Sequence, residues 1–121
     1  MTRFSGGPAD GVSLMLRRSP IYLRVCRAAD GTWDALDQLG DEPREGETLA
    51  AYRLVRDRGT MHVLLARPRR GPWVRVAEYA VCPEQPEQAV MSSRGRWRAW
   101  AEQQHEIDRD RPPAHNPGGQ P

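Results

Sequence analysis

The chain contains no lysine: all 18 of its basic residues are arginine, set against 16 acidic ones. Schiff-base catalysis, a phosphate-loop lysine and a lysine general base each need an ε-ammonium group, and no side chain here supplies one. Cysteine is scarce as well. Cys26 and Cys82 have no second cysteine or histidine at ligand spacing, and His62, His105 and His115 are scattered, so no zinc site is expected. The two thiols are expected to be reduced and partly buried, although sequence leaves open whether they pair. No Gly-x-Ser-x-Gly occurs, which leaves covalent hydrolysis without support. No apolar run approaches the ~20 residues that span a bilayer. The start, Met-Thr-Arg-Phe-Ser, lacks the apolar stretch of a signal peptide. These absences predict a chain inside a cell with no membrane partner, no cofactor, no metal and no catalytic residues.

What is present fits one small domain. The 121 residues are 38% apolar and 28% charged, enough for a modest core under a very polar exterior. A net charge of +2 conceals a pattern. Residues 1–27 carry +4, residues 28–48 carry −6, residues 49–76 carry +6 and residues 77–106 carry −2. Such blocks are either solvated or assembled into an arginine-rich face for an acidic partner.

Periodicity sketches an α+β fold. Residues 1–5 read as a short strand. Val12, Leu14 and Leu16 alternate with Ser13, Met15 and Arg17, as do Ile21, Leu23 and Val25 with Tyr22, Arg24 and Cys26. Trp33, Leu36 and Leu39 suit a short helical turn ending at Gly40. Residues 49–81 predict a three-stranded antiparallel meander, with Asp57-Arg58-Gly59-Thr60 and Arg70-Gly71-Pro72 as its turns. From Pro86 to Ile107 the pattern is helical, weakened at Gly95 and firm from about Arg96. Beyond Asp108 the composition predicts a disordered tail, 108–121, after a single domain over 1–107. The expectation is a small antiparallel sheet of about five strands, able to curl into a roll, with a C-terminal helix packed on it.

The run "FSGGPADGV", Phe4 to Val12, is the first candidate for chemistry. Gly6, Gly7 and Gly11 match neither phosphate-loop nor dinucleotide spacing, and a strand rather than a helix follows. A structural turn is the better reading, with glycines at positive φ and Pro8 fixing the approach. This run, with "LRRSPIYLRV", "DGTWDALDQL" and "GETLAAYRL", resembles small uncharacterised proteins of actinobacteria and their phages that carry a Gly-Gly-Pro-x-Asp-Gly start. The resemblance covers roughly residues 4–81. It implies a phage or mobile-element context, in the host cytoplasm or the virion, and no established activity or functional residue.

Two further stretches merit attention. Asp34, Asp37, Asp41, Glu42, Glu45 and Glu47 are carboxylates of the type that holds magnesium, but no lysine or histidine accompanies them, so they read as a solvated loop. "RGRWRAW", Arg94 to Trp100, mixes cations that neutralise phosphates with rings that stack on bases, yet Trp97 and Trp100 also have the spacing of a packed helix face. The sequence therefore predicts a non-enzymatic interaction protein: a phage or mobile-element accessory, inhibitor or virion component. Its partner-binding residues would come from Arg24, Arg53, Arg67, Arg69, Arg70, Arg75, Arg96, Trp97 and Trp100. The alternative is a nucleic-acid binder using the arginine-rich sheet face, to which Arg27 and Arg56 would also contribute.

Overall fold

The computed structural model describes residues 1–39, 42–43, 45–64 and 70–110. Six strands form one nearly closed sheet, and helices cover one of its faces. In chain order these are β1 (Thr2–Ser5), β2 (Ser13–Leu14), β3 (Tyr22–Arg27), β4 (Trp33–Ala35), α1 (Leu36–Leu39), β5 (Thr48–Leu64), β6 (Arg70–Val81), α2 (Gln88–Met91) and α3 (Arg94–Asp110). Their spatial order is β2-β1-β6-β5-β3-β4. This is the expected α+β class. All neighbours are antiparallel except β1 and β6, which run parallel with Thr2 beside Ala77.

Alternation along the strands separates two cores. Inside the curled sheet lie Phe4, Ala9, Leu16, Leu23, Val25, Ala35, Ala50, Tyr52, Ala77 and Tyr79. Phe4 meets Tyr52 edge-on at 5.1 Å and stacks on Tyr79 at 5.5 Å. On the other face, Tyr22, Ala51 and Cys82 pack against Met91 and Trp97 from the helices. Both faces of β3 are thus covered, and five of its six residues are buried.

The predicted meander over 49–81 proves to be two long strands. Asp57-Arg58-Gly59 does not reverse the chain; it forms a bulge in β5, with a register shift between Asp57 and Thr60. The turn chemistry is real, since the Gly59 N–H donates to Asp57 Oδ1 at 2.9 Å and Gly59 has φ +92°. It serves to insert extra residues into a continuous ladder. Arg70, Gly71 and Pro72, likewise expected to turn, lie within β6. The long helix predicted from Pro86 is interrupted at Ser92–Ser93. Ser93 caps α3, its carbonyl accepting from the Trp97 N–H at 2.8 Å and its Oγ from the Arg96 N–H at 3.4 Å. Gln85 positions this region by acting as a surrogate strand. Its side chain exchanges hydrogen bonds with Ala51 N–H (2.7 Å) and C=O (3.1 Å), where β6 has ended. Helix α3 continues through Asp108 to Asp110, and residues 111–121 of the expected tail lie outside the described residues.

Candidate functional site

The glycine run closes on itself. Gly6, Gly7 and Gly11 have φ of +76°, +61° and +81°. The Gly6 N–H donates to Asp10 Oδ1, Asp10 N–H to Gly7 C=O, Gly11 N–H to Phe4 C=O and Val12 N–H to Ala9 C=O. Tyr52, wholly buried, fastens the loop from below: its hydroxyl accepts from Ala9 N–H at 2.8 Å and donates to Gly6 C=O at 2.5 Å. These amides are committed to the loop itself, which makes it a lid on the core.

The arginines of the sheet are mostly engaged within the protein. Arg24 is 0% exposed. The reason is α3, which covers the face that strand alternation assigns to Tyr22, Arg24 and Cys26. Burying a guanidinium is tolerable only where its charge and most of its donors are met. Here Nη1 donates to Met91 C=O at 3.0 Å, Nη2 lies 3.4 Å from Asp37 Oδ1, and the cation sits 5.3 Å from the Trp97 ring centroid. Arg24 is a tie between β3, α1 and α2, with no surface to offer a partner. Arg53 binds Asp108 through Nε (3.1 Å) and Nη2 (3.0 Å). Arg56 lies 3.8 Å from Glu78, Arg75 lies 3.5 Å from Asp57, and Arg27 covers Trp33 at 5.8 Å. Arg67 and Arg69 fall outside the described residues, as does the side chain of Arg70.

Trp97, 3% exposed, belongs to the outer core. Trp100 stacks on it at 5.1 Å and meets Tyr22 edge-on at 5.2 Å. Arg96 is exposed, on the other side of α3 from the features described next.

A cleft of about 860 Å³ opens between α3 and the segment from Arg18 into β3. Its lining includes Arg18, Arg24, Arg75, Arg94 and Arg98, against only Asp37 and Glu102 as carboxylates, with Ile21, Trp97 and Ala101 as apolar surface. Arg18 braces one wall by donating to Asp37 C=O at 3.0 Å. Sequence reading missed Arg18; it marked the stretch Arg94 to Trp100 but took only Arg96, Trp97 and Trp100 from it as partner-binding residues, leaving out Arg94 and Arg98. Arg94 and Arg98 were legible in principle, because a four-residue spacing puts both on one helix face. Arg18 was not, since it reaches the cleft through a turn.

No protein-family profile matches the chain, and neither does any curated protein or solved structure. The site therefore rests on its own geometry.

At the opposite end of β3 a smaller concavity is acidic, lined by Asp30, Asp34, Glu42, Glu45 and Glu47 beside Cys26. Burial, reinforced by Glu47 and Asp34, pushes the Cys26 thiol up to about 12, so it is not a thiolate nucleophile at neutral pH. Burial likewise raises Cys82 to about 11. Both cysteines are free and buried. Among the described residues no group of three histidines, cysteines or carboxylates is placed to hold a metal. None of the described helices is long and apolar enough to cross a membrane.

Proposed function

We propose that this is a non-enzymatic interaction protein that engages an acidic segment of a protein partner in the cleft beside α3, in keeping with the accessory, inhibitor or virion roles implied by its resemblance to phage-associated proteins. The observation that carries this reading is the convergence of three exposed arginines, Arg18, Arg94 and Arg98, on one concave surface whose carboxylates are Asp37 and Glu102. Concave walls dominated by one sign of charge focus potential onto a ligand of opposite charge.

A nucleic-acid partner is less well supported. Arg24 is buried, while Arg53, Arg56 and Arg75 face carboxylates of the same chain. Trp97 and Trp100 are packed against the sheet and against each other, unlike rings held out to stack on bases. A long polyanion following the surface would also meet the acidic concavity at the far end of β3.

Salt-titrated anisotropy with a labelled acidic peptide, a single-stranded oligonucleotide and a duplex tests the choice. The peptide is expected to bind at low salt and lose affinity on Arg18→Glu or Arg98→Glu substitution, with the oligonucleotides weaker. An oligonucleotide that binds more tightly, with a steep salt slope spanning many phosphates, would reverse the assignment.

A further inference from the structure

Resting on the cleft as an acid-binding surface, we infer that the partner it takes is a second copy of this chain, whose own acidic concavity meets the cleft across a two-fold axis. The two ends of β3 carry opposite charge. At its start the cleft presents Arg18 and Arg98, both exposed. At its far end the concavity gathers Asp30, Asp34, Glu42, Glu45 and Glu47, with no basic residue in its lining. Helix α1 divides the two, since Leu36 lines the concavity and Asp37 the cleft.

These poles are not neutralised by each other within the molecule. Arg18 donates to the Asp37 C=O, which carries no net charge. Among the described residues, Arg18, Arg98, Glu42 and Glu45 lie in no ion pair. Alternation puts Tyr22 and Arg24, which line the cleft, on the same face of β3 as Cys26, which lines the concavity. The poles therefore stand side by side along one face. Such a face is self-complementary under a two-fold rotation. When two copies meet with their β3 strands antiparallel, each acidic end meets the other's arginines, and one association makes the contact twice. A foreign acidic segment would fill the cleft and leave the five carboxylates of the concavity unmatched. A second copy matches both, and this selects the occupant.

Sedimentation equilibrium of the full chain tests the dimer. At low salt the mass is expected to rise with concentration to that of two chains and no further. It should return to that of one chain at about 0.5 M salt, where the Debye length is roughly 4 Å. Arg98→Glu should weaken dimerisation by about 25-fold, since an exposed pair is worth up to about fivefold and occurs twice. Glu42→Arg with Glu45→Arg should weaken it at least as much. All three side chains are exposed, so the cores stay intact. An equimolar mixture of the two variants should regain the dimer, because reversed poles then meet reversed poles and intact ones meet intact ones. A mass of one chain at every concentration, growth beyond two copies, or no recovery in the mixture would overturn the two-fold dimer. If the labelled acidic peptide still binds the parent protein in those cases, the acid-binding cleft stands; if it fails as well, both readings fall.

Discussion

At the scale of single residues, glycine and arginine are used here for opposite reasons. Gly7 is required by space as well as by φ: an added Cβ would lie 2.6 Å from Val81 Cγ2 and 3.1 Å from the Tyr52 hydroxyl. Gly11 shares the positive φ but has nothing within 4 Å. Gly11→Ala is therefore expected to cost about 1 kcal/mol, the backbone penalty alone. Gly7→Ala should cost about 2–4 kcal/mol, because a steric term against the end of β6 adds to it. Urea unfolding with unchanged slope checks this; equal losses at the two positions would mean that Val81 moves aside freely. Arg24 shows the other limit. Alternation placed it on the same strand face as Tyr22 and Cys26, correctly, but alternation carries no information about what covers that face.

At the scale of elements, α3 is held to the sheet at both ends by different means. Its first turns are anchored by Trp97 over Arg24, and its last turns by Asp108. Asp108 accepts a short hydrogen bond from the Tyr22 hydroxyl and pairs with Arg53, whose side chain is 49% exposed. Exposure limits what the Arg53 pair contributes, to about 1 kcal/mol or less. Asp108→Asn should therefore leave the domain folded and loosen the helix locally. Amide exchange is expected to accelerate over 104–110 and stay unchanged over 94–100. Uniform acceleration along α3 would show that the helix opens as one unit. The β5 bulge teaches a related lesson: Asp57-Arg58-Gly59 has the same local chemistry in a hairpin as in a bulge. The register against β6, Asp57 beside Ala77 and Thr60 beside Arg75, decides which is formed.

At the scale of the whole molecule, the fold buries groups whose protons matter only in alkali. The thiols of Cys26 and Cys82 are raised from their ordinary 9.0 to about 12 and about 11, chiefly by burial. Tyr52, Tyr79 and Tyr22 are displaced upward for the same leading reason. Above pH 9 the unfolded chain releases thiol protons that the folded chain still holds. The native state then binds more protons than the unfolded one, so stability falls as pH rises, between pH 9 and about 12. The urea midpoint should drop from pH 8 to pH 10.5, and a Cys26→Ala, Cys82→Ala double variant should drop by less. A flat profile in the parent protein would contradict the burial of both thiols.

The sequence by itself determined the α+β class, the paths of β1 and β3, the short helix around Leu36, the C-terminal helix and the structural role of the glycine run. Each of these follows from local rules, namely side-chain period, turn residues and helix signals. It also showed the absence of lysine and the alternating charge blocks. Only the tertiary structure decided that β1 runs parallel to β6, that Arg24 is internal, and that Arg53, Arg56 and Arg75 are matched by carboxylates. The cleft belongs to this second group. Arg18 and Arg94 are separated by most of the chain, and no local pattern connects them. They meet because a curled sheet brings the approach to β3 beneath α3, and packing of Tyr22 and Trp97 holds it there.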